Sequence, residues 1–180
     1  MFRDRIVLDS RAVALIAMLT AVTIVFTLAV RIPFAPTRGY FTLADVGVFF
    51  TAFAFGPVFG FIVGGLGTGL ADILGGYAHF AIWSFLIHGL QGFLAGQLGS
   101  NRSLSGMVAG WVAGGAMMVG GYFAVELFLY GAGPAASEAT TINLPQVVVG
   151  GLAGLLLVLA VRRAYPQIDL LAKPRTWHEG

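Results

Sequence analysis

The stretch 39–96, GYFTLADVGVFFTAFAFGPVFGFIVGGLGTGLADILGGYAHFAIWSFLIHGLQGFLAG, holds three apolar segments separated by turns and carries charge only at Asp45 and Asp72. Segments of this kind cannot form the outside of a water-soluble domain, and their lengths approach the ~20 residues a helix needs to cross the hydrocarbon of a bilayer. The whole 180-residue chain shares the bias: 58% of it is hydrophobic and 10% charged, with a mean hydropathy of +0.88, against about 45–50% apolar and 25% charged in soluble domains. The expected fold is an all-α membrane protein, a six-transmembrane-helix bundle over residues 1–164, followed by a cytoplasmic tail at 165–180.

The punctuation sets the helices. Helix one is expected at 11–30, with Ala14, Ala17 and Ala21 as small residues that admit a close neighbour. Pro33 and Pro36 end it, and the loop 31–41 must lie outside the hydrocarbon or fold over the bundle, since unpaired backbone is not tolerated against lipid. A short helix two follows from about Thr42 to the Gly56-Pro57 turn. Helix three, 58–74, has Gly60-x-x-x-Gly64 and Gly65-x-x-x-Gly69, a face that has to be packed. Helix four, 79–98, follows the 75–78 turn and carries Gly92 and Gly96, while helix five, 104–130, carries Gly106, Gly110 and Gly114. The stretch 131–143 reads as a polar loop of small residues, and helix six as 144–161, ending at Arg162-Arg163.

Six crossings place both termini on one side. Arg3, Arg5, Arg11, Arg102, Arg162, Arg163, Lys173 and Arg175 fall on that side and only Arg31 and Arg38 on the other, eight against two, so both ends are expected in the cytoplasm of a prokaryotic cell with the chain multi-pass in its plasma membrane. The basic N-terminal MFRDRIVLDSR precedes an apolar run without a small-residue cleavage site, which predicts a retained helix rather than a signal peptide. The sequence pI near 9.3 reflects charge at the chain ends and sets topology; no nucleic-acid partner is expected.

Several chemistries are excluded. Cysteine is absent, so no disulfide framework or thiolate exists. The one lysine is Lys173, and no G-x-x-x-x-G-K-[ST] loop is present to hold ATP. GGLGTG lies inside a membrane helix and misses the third position of a dinucleotide fingerprint. His79, His88 and His178 have no metal-ligand spacing, and no serine sits in a nucleophile elbow. Neither enzyme activity nor a metal or cofactor is expected.

Polar groups within a membrane are expensive and mark function by default. Asp45 opens helix two, Asp72 lies near the end of helix three, His79 and Trp83 open helix four, Tyr122, Glu126 and Tyr130 end helix five, and Asn143 and Gln146 open helix six. With Tyr40 from the first outer loop they fall at one depth, in the outward halves of their helices, which predicts an aromatic-walled pocket for a small organic solute. Tyr122, Glu126 and Tyr130 share a helical face at i, i+4. A carboxylate beside amide groups suits a protonatable pyrimidine or pyridine ring. Plainer roles stand beside these: an interfacial aromatic belt for Tyr77, His79, Trp83 and Tyr130, and a helix cap for Asp45. Asp72 and His88, on adjacent antiparallel helices, are expected to form a buried structural pair, with Ser84 and Gln91 on the face of His88.

These residues resemble the substrate-binding S components of energy-coupling-factor (ECF) transporters, in particular the riboflavin, hydroxymethylpyrimidine and pyridoxine group. The matching pieces are Gly39-Tyr40 with Leu43 and Asp45, Gly56-Pro57 with Gly60, Gly64-Gly65 and Gly67, then Leu70-Ala71-Asp72 and Gly76-Tyr77, and Ile87 with Gly89-Leu90 and Gly92. A second block runs from Gly121-Tyr122-Phe123 through Glu126, Tyr130-Gly131, Ala135-Ala136, Asn143 and Gln146 to Gly150. The resemblance implies a vitamin-binding subunit that docks on a transmembrane coupling protein driven by two cytoplasmic ATPases. It implies further that Ala17 and Ala21 touch the coupling subunit and that the 31–41 loop closes over the ligand. At His88 the related pattern often has lysine. A solitary facilitator or proton-linked carrier using Asp72 and His88 is the alternative, and a purely structural subunit a third reading.

Overall fold

The computed structural model describes residues 10–100 and 103–171. The basic N-terminal stretch, the Asn101-Arg102 turn and the tail beyond 171 lie outside the described residues. The order is α1 (Ser10–Ala29), β1 (Arg31–Phe34), β2 (Gly39–Thr42), α2 (Ala44–Phe55), α3 (Pro57–Gly75), α4 (Ala81–Gly99), α5 (Leu104–Tyr130), α6 (Ala132–Glu138) and α7 (Leu144–Ala164), with a π-turn over Ala139–Asn143 joining the last two. A short 3₁₀ turn, Ile168–Leu170, closes the described chain. Ser10–Ala29, Pro57–Gly75, Leu104–Tyr130 and the continuous Ala132–Ala164 are long and apolar enough to cross a membrane. With α2 and α4 they make six helices in one bundle.

Glycine decides how closely these helices approach. A Cβ on Gly60 would fall on the carbonyl oxygen of Gly92, and one on Gly92 would fall on that of Gly60, so α3 and α4 touch backbone to backbone. The same holds for Gly64 against the His88 carbonyl and Gly96 against the Gly56–Pro57 peptide. Gly110 and Gly114 bring α5 onto α4 at Ala95 and Gln91, and Gly150 and Gly154 bring α7 onto Asp45 and Phe49 of α2. The glycine faces expected from the sequence are the helix contacts.

Apolar side chains sort in the opposite sense to a soluble protein. Phe49, Phe53, Met107 and Val158 fill the middle, while Phe128 is 88% exposed and Leu74 68% exposed on the outside. Such a surface is stable only against lipid. At the end of α2, Arg162 Nη2 donates to the Phe53 carbonyl at 2.7 Å, so a residue in the last turn of α7 also satisfies the open C-terminus of a neighbour.

Three segments differ from expectation. The 31–41 loop is an antiparallel hairpin, pairing Arg31 with Thr42 and Phe34 with Gly39. Its backbone is satisfied by strand pairing, and Arg38 takes a left-handed φ of 59° in the turn. Helix four starts at Ala81 rather than near His79, because Gly76, at φ 86°, ends α3 and the chain turns through Tyr77 to Phe80 before re-entering helix. The 131–143 stretch is helical rather than a polar loop. Gly131, at φ 87°, ends α5, after which Pro134 and the alanines suit a helix opening. Helix six accordingly arrives through α6 and a π-turn, and runs on to Ala164.

Candidate functional site

At the hairpin end of the bundle a cavity is closed between β2 and every helix from α1 to α7. About 420 Å³ lies between its walls, mouth included.

The hairpin forms the roof. The Tyr40 hydroxyl donates to Asp72 Oδ1, and the Tyr40 ring lies against Tyr77 with centroids 4.4 Å apart. Burial, reinforced by the neighbouring Asp72 carboxylate, holds the Tyr40 phenol well above its ordinary range, so it remains a donor. The backbone N–H of Thr42 donates to Gln146 Oε1 at 2.7 Å, tying β2 to α7. Arg31 Nη1 donates to the Gly75 carbonyl at 2.9 Å, tying β1 to the C-terminus of α3. Gly39 leaves the space that the Glu138 carboxylate occupies, on which a Cβ at that position would fall.

The walls are polar at a few points. Ser84 Oγ and Tyr122 Oη share a hydrogen bond of 2.6 Å, and Thr68 Oγ1 donates to the Ser84 carbonyl at 3.1 Å. Glu126 on α5 is fully buried with neither oxygen hydrogen-bonded, and Asn143 Nδ2 and Glu138 Oε2 are likewise buried without a partner. Phe80 and Met118 supply apolar lining.

Beneath the floor lies a connected trio. Asp45 Oδ1 accepts from Gln91 Nε2 at 2.9 Å, which leaves Gln91 Oε1 to face His88 Nδ1 at 2.6 Å. An amide oxygen can only accept, so His88 carries its proton on Nδ1. His88 Nδ1 is also 3.3 Å from Asp45 Oδ1. The expected Asp72–His88 pair is therefore corrected. Asp72 is held from the roof by Tyr40, a strand residue, and the carboxylate that meets His88 is Asp45, brought in by the bare face of Gly150 behind it.

The structure brings Tyr40, Tyr122, Glu126, Asn143 and Gln146 into the cavity lining, together with Asp72 and His88. Asp45 lies behind His88 instead, fully buried. Trp83, His79 and Tyr130 do not line the cavity. Trp83 is 39% exposed on the outer face, His79 stacks between Tyr77 and Phe80, and Tyr130 packs on Phe80 at 6.4 Å. Tyr77, His79, Phe80 and Tyr130 are joined by ring contacts beside the cavity. Glu138 was missed because it lies in the stretch read as loop; the alanine-rich run around it was the available signal of helix. The π-turn matters here, since i→i+5 pairing brings residues five apart, Glu138 and Asn143, onto one face, as happens at many functional sites.

The bundle thus holds a polar cavity roofed by the hairpin and packed through glycine faces. The family described as ECF-type riboflavin transporter, S component, matches residues 7–163, and the chain belongs to that family. It is 36% identical over 141 residues to the thiamine precursor transporter HmpT of Lactococcus lactis subsp. cremoris (strain MG1363), covering 78% of this chain and 81% of that protein. It is also 36% identical over 135 residues, 74% of this chain and 89% of the other, to an uncharacterized protein in the gap 3' region of Pyrococcus woesei. The chain is thus a multi-pass membrane protein of a transport family rather than of an enzyme family.

Proposed function

We propose that this chain is the solute-binding subunit of an ECF-type importer, capturing a small water-soluble vitamin or vitamin precursor at the hairpin end and delivering it inward with a coupling subunit and two cytoplasmic ATPases. The observation that carries the reading is the lidded cavity in which Glu126 and Asn143 are buried with polar atoms unpartnered, an arrangement whose cost is recovered when a ligand completes the hydrogen bonds. A vitamin precursor as the solute is in keeping with a relative that transports a thiamine precursor.

In this reading the hairpin faces outward and both termini are cytoplasmic. Ala14, Ala17 and Ala21 form an exposed strip on α1, suited to the coupling subunit. A solitary proton-linked carrier is less well supported, because Asp72 is engaged by Tyr40 and not by His88.

Proteoliposomes test the reading. Uptake of a radiolabelled vitamin should require the coupling subunit, both ATPases and ATP; equal uptake by the chain alone would establish the carrier instead. The chain has no cysteine, so Arg38→Cys and Arg163→Cys report orientation. Impermeant maleimide on intact cells should label the first and spare the second.

A further inference from the structure

Asp45, Gln91 and His88 are buried together beneath the cavity, and of the three only His88 reaches its lining. Asp45 stands in the first turn of α2, where the helix dipole suits a carboxylate. An ionised carboxylate only accepts, so Asp45 Oδ1 dictates which end of the Gln91 amide meets it, the Nε2 end, at 2.9 Å. Gln91 Oε1 is thereby turned to His88 Nδ1 at 2.6 Å, and it too only accepts. Asp45 Oδ1 is itself 3.3 Å from His88 Nδ1, so both neighbours of that nitrogen demand a proton. The Tyr122 ring, edge-on with centroids 5.6 Å apart, holds the plane of the imidazole. His88 Nε2 bonds to no described residue.

We infer that Asp45 and Gln91, neither of which lines the cavity, are positioning residues that act through His88: they keep its proton on Nδ1 and so leave Nε2 to the cavity as a hydrogen-bond acceptor for the bound solute. The use of Nε2 in binding rests on the solute-binding reading above, whereas the place of the proton does not. Histidine free in water favours the proton on Nε2, so the tautomer found here is one that its neighbours impose. The order of the chain matters. A carboxylate at its far end, with no proton to give, fixes the amide, and the amide fixes the ring. Asp45→Asn keeps the shape and supplies an N–H, which lets Gln91 turn its amide end for end and offer Nε2 to His88 Nδ1. The proton then moves to His88 Nε2, and an acceptor at the cavity becomes a donor.

Nitrogen-15 spectra of the full-length protein, labelled at histidine and held in detergent at about pH 8, above the ordinary range of histidine, read the tautomer directly, because protonated and bare ring nitrogens resonate far apart. The His88 signals are those lost in His88→Gln. Wild type should show His88 protonated on Nδ1 and bare on Nε2, and Asp45→Asn should shift it towards the Nε2–H form, a change that a merely structural role for Asp45 would not produce. Adding 4-amino-5-hydroxymethyl-2-methylpyrimidine should move the bare Nε2 resonance of wild type. By calorimetry, folded Asp45→Asn should bind that probe at least about tenfold more weakly, since a buried contact at the cavity is then mismatched. Should this variant fail to fold, the wild-type spectrum and its response to the probe decide alone. A wild-type His88 protonated on Nε2 or on both nitrogens overturns the proposal, as does a folded Asp45→Asn with the spectrum and affinity of wild type. Should wild type show the Nδ1–H tautomer yet bind neither the pyrimidine, a pyridoxine nor riboflavin, the solute-binding reading falls while the proton assignment stands.

Discussion

Tyr40 shows how one side chain joins roof to wall. Its hydroxyl meets Asp72 across the cavity edge, and its raised pKa keeps it neutral in the folded protein beyond the pH at which an unfolded tyrosine ionises. The stability from this contact is fully present below about pH 10 and is lost as pH rises from there toward the raised folded value. Thermal melts of wild type and Tyr40→Phe should therefore differ by a constant amount from pH 7 to about 10, with the gap closing above; a gap that is flat to pH 12 would contradict the account. Gly92 and Gly133 make a second contrast. A Cβ at Gly92 would meet the Gly60 backbone, whereas one at Gly133 meets nothing within 4 Å. Gly92→Ala should cost about 1–3 kcal/mol by forcing α3 and α4 apart; Gly133→Ala should be neutral or stabilise by up to about 1 kcal/mol through the unfolded chain. Denaturation in mixed micelles measures both. Buried polar residues were largely legible in the sequence because charge in an apolar run is conspicuous; Glu126 and Asp72 stand out at sight. Partner choice was not, because Asp72 pairs with a residue 32 positions away on a strand.

At the scale of elements, the hairpin Arg31–Thr42 is fastened at Asp72, Gln146 and the Gly75 carbonyl, and the last of these is exposed. An exposed hydrogen bond of this kind contributes little to stability. Arg31→Ala should thus leave the melting temperature within about 1 °C while raising the ligand dissociation rate several-fold, as followed by stopped-flow fluorescence. An unchanged rate would mean that the hairpin does not gate the cavity. Helices with a clear glycine pattern were readable to within a few residues. The exceptions have physical causes: prolines at 33 and 36 argued for a loop where two short strands pair at the edge of the bundle, and glycine and proline at 131–134 masked an alanine-rich helix.

For the molecule as a whole, the exposed strip of Ala17 and Ala21 predicts a separation of functions. Ala17→Leu with Ala21→Leu should leave ligand affinity within about twofold and abolish ATP-dependent uptake in the reconstituted system; loss of affinity would place α1 in the binding machinery instead. The bundle and its membrane character follow from composition and glycine spacing, whereas the cavity depends on a hairpin and a π-turn that long-range packing selects. The central claim is that the lidded cavity binds the transported solute. Calorimetric titration of the purified protein with 4-amino-5-hydroxymethyl-2-methylpyrimidine tests it most directly. The account predicts saturable one-to-one binding by wild type, weakened at least about 100-fold in the folded Glu126→Ala, Asn143→Ala double variant. Undiminished binding by that variant, or no binding of the pyrimidine, a pyridoxine or riboflavin by wild type, would contradict it.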